Sequence, residues 1–365
     1  MGSHRSGTGS RGVARWLIAA VIAVILVIVV IVAMVWLSGR SAQQGKDAAA
    51  QCVRGDLQVR VAAAPAMVGP LQRIADSFNS SGTVSSDYCA KITVAGVDSP
   101  VALEALSGTW DRKLGDVPSL WVPESSVWTA RLAARKPAEV SGQPSSIASS
   151  PVLLAVRGSA QKSFDGARWL DLPAKQSDLK VALPTGADGD GTYLAAQSIA
   201  AAVARTAGAP LSEDAAKGPL VTGTLARWKS GAPKSSGTLA ALDSLTVPGE
   251  TNAVPVTEQQ LYSYARGRDG ASPVGVYPGG PTASATYPGL VLERDDLDEA
   301  HHRAAADFVA FATKGENAKP LADAGFRVPG QPTPAKTPAV EFGTVEPLAP
   351  AANPATIALA DTLNR

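Results

Sequence analysis

The stretch "LQVRVAAAPAMVGPLQRIADSFN", residues 57–79, reads as a strand, a turn and a helix in immediate succession. Pro70 is placed at a first helical position, where a missing N–H costs nothing, and Leu71, Ile74, Ala75 and Phe78 follow at i, i+3, i+4 and i+7. The plan recurs twice. In "KITVAGVDSPVALEALSG" (91–108) a strand leads to Ser99 as N-cap with Pro100 just inside the helix. In "PSLWVPESSVWTARLAA" (118–134) the strand ends at Pro123, and Trp128 and Leu132 share a helix face. Strands alternating with helices in this way predict an α/β fold with a mostly parallel sheet. All three corners after the strands carry small or hydroxyl residues. Open α/β sheets bind ligands at such corners, beside helix N-termini.

The chain has 365 residues, 33 Lys+Arg and 32 Asp+Glu. A charge so near zero excludes the basic excess of a protein built to grip nucleic acid. "WLIAAVIAVILVIVVIVAMVWL" (16–37) is an uncharged apolar run of 22 residues. A helix of that length spans about 33 Å, enough for a bilayer core, and exceeds the apolar region of a cleaved signal peptide. Trp16 and Trp36 suit the interfaces, and Arg5, Arg11 and Arg15 ahead of the run place residues 1–15 in the cytoplasm. The rest is then extracytoplasmic, on a single-pass anchor. There Cys52 and Cys89, each just ahead of a predicted strand, are expected to form a disulfide.

Residues 38–54 form a polar spacer. An α/β region follows over 55–330, and "PGQPTPAKTPAVEFGTVEPLAPAANP" (329–354) then carries seven prolines. This predicts a semi-extended linker over 331–353 and a short helix over 354–365, capped by Asn353 with Pro354 in its first turn.

Chemistry is sparse. His301 and His302 are adjacent on a helix, about 100° apart, and cannot easily clasp one metal. No HExxH, GxSxG or Cys/His cluster occurs, so neither enzyme activity nor a cofactor is expected. "LPTGADGDGTYLAAQSIAAAVA" (183–204) invites three readings. As a calcium loop from Asp188 it has Tyr193 where glycine belongs and Ile199 where glutamate belongs. As a phosphate loop it has Thr192 in place of lysine, and Asp188 and Asp190 would repel a polyphosphate. What survives is a strand ("LKVALP"), a glycine-rich corner and a helix from about Thr192 whose first turn offers N–H groups, a hydroxyl and a phenol.

The order of these motifs resembles type II periplasmic solute-binding proteins, the molybdate-binding group in particular. The first strand and helix, "SSIASSPVLLAVRG" (145–158), the corner near Thr192, "PVGVYPGG" (273–280) and "AAADFVAFATKGENAKPLADAGFRVPG" (304–330) carry the likeness. The resemblance implies two lobes, each with a central mostly parallel sheet: lobe one about 55–149 and 285–330, lobe two about 150–284. Crossings are expected near Ala148–Val152 and at about 265–285. It further implies a cleft lined by Pro65, Ala66, Ser99, Glu124, Ser125 and Ser126 from lobe one. Ser149 and Ser150 would lie at the hinge, and Gly191, Thr192, Tyr193 and Tyr277 would close from lobe two. Pro65 stands where molybdate binders usually offer a serine, Pro320 interrupts the closing helices, and no basic residue marks the corners. The chain is also similar to actinobacterial membrane proteins in which such a domain precedes a von Willebrand A domain. No DxSxS motif occurs, so that domain and its metal are not expected. The expected function is capture of a small polar or anionic solute for an ABC permease or for sensing. The rival is an envelope adaptor that contacts proteins without a small ligand.

Overall fold

The computed structural model describes residues 22, 24–29, 31–32, 34, 52–140, 144–186, 189–206, 208–268 and 273–365. Its first half is organised by β1 (Asp56–Ala63), whose side chains alternate between solvent and core until the strand becomes wholly buried. The strand passes into α1 (Pro65–Ser80). A two-residue strand β2 (Val84–Ser85) and β3 (Tyr88–Gly96) lead to α2 (Ser99–Ser107), and β4 (Leu120–Val122) leads to α3 (Ser126–Arg135). β3 and β4 flank β1 and run parallel to it. The three strand-to-helix corners therefore emerge side by side at one edge, joined by backbone bonds from Ala64 N–H to Val122 and from Val97 N–H to Ala63.

Helix α1 begins at Pro65, five residues before the expected start, and Pro70 lies inside it. Pro65 already fills the first helical position without losing a bond, whereas Pro70 forfeits only the one that the Ala66 carbonyl would accept. The early start places buried Met67 in one stripe with Leu71, Ile74 and Phe78, and this extra apolar turn offsets the lost bond. Helix α2 likewise starts one residue early: Asp98 occupies the N-cap position without a side-chain capping bond, and Ser99, inside the first turn, is free for another task.

Two long antiparallel strands tie the halves together. β5 (Ser145–Val156) pairs through its first part with β8 (Ser284–Val291), and through its second part with β6 (Ala253–Thr257) and β7 (Val274–Val276). The end of β8 joins β4. The order is β2-β3-β1-β4-β8-β5-β6, with β7 also on β5. The second half departs from the parallel sheet expected there, because its named strands pair antiparallel. The expected strand "LKVALP" shrinks to a single parallel bridge, Val181–Ala253. Lys180 has positive φ and Pro184 has no N–H, so a ladder cannot extend in either direction.

Helices α4 (Gln176–Leu179), α5 (Asp190–Ala204), α6 (Glu213–Lys217), α7 (Pro219–Ser230), α8 (Thr238–Ser244) and α9 (Glu258–Ala265) cover the second half. α10 (Glu299–Ala312) and α11 (Lys319–Asp323) return to pack on α1, where Phe78 meets Phe308 and Phe311 edge-on. His301 and His302 lie half-buried on α10 beside Asp298 and Glu293 respectively. Cys52 and Cys89 form the disulfide, with Cα atoms 5.1 Å apart; Cys89 lies within β3 rather than ahead of it.

The proline-rich segment is semi-extended but bound. Val340 and Phe342 are buried against the second half, and Thr282 exchanges backbone bonds with Glu346 and Leu348. α12 (Asn353–Asn364) closes the chain.

Most of the apolar run 16–37 falls outside the described residues. Those described within it, Ile22, Val24–Val29, Ile31, Val32 and Met34, are helical and more than half exposed. Among the described residues no helix is long and apolar enough to cross a membrane.

Candidate functional site

The corner after β4 and the N-terminus of α5 meet between the two halves. Ser125, fully buried ahead of α3, donates from Oγ to Asp190 Oδ1 at 2.5 Å. The Trp128 indole N–H points to Asp190 Oδ2 at 3.5 Å. Asp190 is only 1 % exposed and stands in the first turn of α5, where helix N–H groups favour a carboxylate. Its placement depends on Gly191. A Cβ at that position would come within 2.3 Å of the Pro255 carbonyl oxygen, so only glycine lets α5 seat this closely on β6. Thr192 is fully buried, and its hydroxyl has no hydrogen-bond partner among the described residues.

Behind this contact the Ser99 hydroxyl accepts the Glu124 N–H at 3.1 Å, locking the second corner to the third. Tyr287 on β8 is buried close by. Burial first, then the negative charges of Glu124 and Asp190, hold its phenol well above the usual range. Two carboxylates, one from each half, thus act on the Tyr287 phenol. Nearby, Arg131 lies over the Trp128 ring at 5.1 Å and the Tyr193 ring at 5.8 Å.

The remaining residues expected in the cleft are distributed as follows. Pro65 is exposed and Ala66 half-buried at the first corner, while Ser126 is exposed at the start of α3. Ser149 exchanges backbone bonds with Arg327, and Ser150, fully buried, accepts the Gln259 N–H, so both pin the middle of β5. The Tyr193 hydroxyl is engaged away from that contact: it accepts the Gly186 N–H and donates to Asn364 of α12. Tyr277 donates to Glu258 at 2.6 Å. Glu258 is fully buried and bidentate to Arg327, at 2.6 and 2.7 Å, and Arg327 also donates to the Gly343 carbonyl. Burial, then the Glu258 charge, push the Tyr277 phenol upward.

Several of these groups carried no sequence signal. In sequence Asp190 stands in a glycine-rich corner just ahead of the helix expected from about Thr192, and nothing local announces its contact with the other half. Asp188 lies outside the described residues. Glu258 and Arg327 are 69 positions apart, and nothing local announces their pairing. Among the described residues no group of three His, Cys, Asp or Glu side chains could hold a metal ion.

The structure of this chain is similar to several solved ones. A Trichodesmium iron-binding protein, FutA (IdiA), in complex with iron and citrate, matches with a TM-score of 0.61 at 11 % identity, over 84 % of this chain and 98 % of that one. Iron-bound HitA of Pseudomonas aeruginosa matches with a TM-score of 0.56 at 18 % identity, over 84 % and 97 %. An ABC transporter structure from Clostridium perfringens gives 0.60 at 13 %, over 84 % and 98 %. At such identities the likeness establishes the fold alone: the two-lobed, type II solute-binding architecture. In sequence the chain is 33 % identical over 346 residues to the uncharacterized protein Rv1836c of Mycobacterium tuberculosis, covering 89 % of this chain and 50 % of that protein. The chain thus spans about half the length of the curated relatives it matches. The profile of a family that binds solutes rather than transforming them, described as bacterial extracellular solute-binding protein, matches residues 59–327. With the fold, the corner geometry and the profile in agreement, the chain belongs to the bacterial extracellular solute-binding protein family.

Proposed function

We propose that this chain is a membrane-anchored extracytoplasmic solute-binding protein that holds a small polar solute between its lobes, for an ABC-type permease or for sensing. The observation that carries the reading is the meeting of the Ser99, Glu124 and Ser125 corner with Asp190, Gly191 and Thr192 across the lobes. The electrostatics narrow the solute class. Glu124 and Asp190 disfavour a free anion and favour a neutral or cationic compound rich in hydrogen-bond donors. Solute would favour the closed form by its higher affinity for that form. The exposed apolar residues between Ile22 and Met34 support a bilayer anchor over 16–37, with residues 1–15 in the cytoplasm.

A thermal-shift screen of the chain against sugars, amino acids, polyamines and oxyanions tests this. A true solute at 100 times its dissociation constant stabilises the fold by about 2.7 kcal/mol. Thr192→Ala and Ser99→Ala should weaken the shift. The absence of any shift across all four classes sinks the reading.

One observation favours a second reading, an envelope adaptor without a small ligand. The lobes already contact each other through their own side chains, and the C-terminal segment lies over the seam. That reading predicts no solute-induced shift and no dependence on a permease.

A further inference from the structure

The family match ends at residue 327, yet the chain beyond it is not loose. From Ala339 to Asn364 it follows one continuous course along the molecule. Ala339 accepts the Gly275 N–H at 2.7 Å, Phe342 packs edge-on against Tyr262, and the Gly343 carbonyl takes Arg327. Thr282 then brackets Pro347, donating to Glu346 and accepting from Leu348. The Ala352 N–H reaches Leu211, and α12 begins.

Helix α12 packs on α3 of lobe one and on α5, α6 and α7 of lobe two. Ala355, Ala358, Leu359, Ala360 and Leu363 are buried in these contacts, and Asn364 takes the Tyr193 hydroxyl at 3.1 Å. Small residues let the helix sit low over the seam. Beneath its approach, Leu348–Ala351 and Thr356 roof a cavity of about 60 Å³ whose other walls include Ser126 of lobe one and Gln197 of lobe two. The two helices it spans are the ones whose N-terminal corners form the Ser125–Asp190 contact.

We infer that Ala339–Asn364 is an intramolecular latch: docked, it holds the two lobes closed over the corner contact, and its release frees them to part. A segment bonded to one lobe alone would ride with that lobe. This one buries apolar side chains against both, so opening must break contacts on at least one side. The consequence for solute entry rests on the function proposed above, but the mechanical claim stands apart from it.

The test needs no solute. Hydrogen exchange is measured on the full chain and on Leu359→Asp/Leu363→Asp, which places charge in the buried face of α12. The latch predicts exchange faster by about tenfold or more at both cleft corners, residues 123–130 and 189–194, as opening there becomes less costly, while β1 and β3 keep their protection. Small-angle scattering should show a larger radius of gyration. Exchange that accelerates only within 353–364, with the corners and the radius unchanged, overturns the latch. Should the double variant lose protection at β1 and β3 as well, Tyr193→Phe decides. It removes only the bond to Asn364 and its Gly186 contact, and should quicken exchange at 123–130 on the opposite lobe; no change there refutes the proposal. Solute screening and this exchange experiment fail independently, so the failure of one is not the failure of the other.

Discussion

Ser125→Ala probes the corner contact with a single atom. The Ser125 Oγ donates at 2.5 Å to a carboxylate that is 1 % exposed, and the other side-chain donor, Trp128 Nε1, stands at 3.5 Å. A hydrogen bond to a charged group contributes about 1.5–3 kcal/mol, and losing it leaves Asp190 buried and undersatisfied. Ser125→Ala should therefore lower unfolding free energy by about 2 kcal/mol. Asp190→Ala removes the acceptor and its charge together, so no buried carboxylate is stranded. Its cost should be comparable, about 2 kcal/mol, because the charged bond and the interaction with the α5 terminus are both lost and the buried Ser125 hydroxyl is left without its acceptor. The double variant should cost little more than Asp190→Ala alone, since the serine has then lost its partner already. Urea unfolding of the four proteins, read by tryptophan fluorescence and extrapolated to water, gives the cycle. A Ser125→Ala variant within about 0.5 kcal/mol of the parent would mean that Asp190 is solvated, and the reasoning about a closed seam would fall with it.

Gly191→Ala should destabilise the chain by about 1–3 kcal/mol or displace α5, because the new methyl meets the Pro255 carbonyl at 2.3 Å; a melting temperature unchanged from the parent would contradict this. Arg327→Met strands the fully buried Glu258 carboxylate and should cost about 3–5 kcal/mol in the same urea assay, whereas Arg327→Met/Glu258→Gln should recover part of it. The phenols of Tyr277 and Tyr287 are both held above their usual range. In an ultraviolet titration these two should stay protonated through pH values near 10 at which ordinary tyrosines ionise, about 10 being the unperturbed value. The unfolded chain loses those protons first, so their contribution to stability is complete below about pH 10 and is lost as pH rises above it.

The strand-turn-helix plan of residues 57–134 was legible because it is local. Period, proline and small-residue corners act within a few positions, and they located three parallel βα units and their shared edge. Boundaries were less legible. Pro70 looked like a helix start, since nothing nearby reveals that Met67 would find a buried partner. The second half was misread where a local β pattern, "LKVALP", had only one bridge to make and a proline to end it.

By itself, then, the sequence determined the class of fold, the cysteine pair and the three strand-to-helix corners of the first half, because these follow from short-range patterning and from which segments can lie side by side. Tertiary structure alone decided what those corners touch. Asp190 became the partner of Ser125, 65 positions away, and Glu258 became the partner of Arg327, 69 positions away. Tyr193 turned from the seam to Asn364, and a proline-rich tail became a bound strap. Such pairings depend on burial and on the register of distant elements. No local spacing encodes them, because a buried carboxylate selects whichever donor the fold brings within reach.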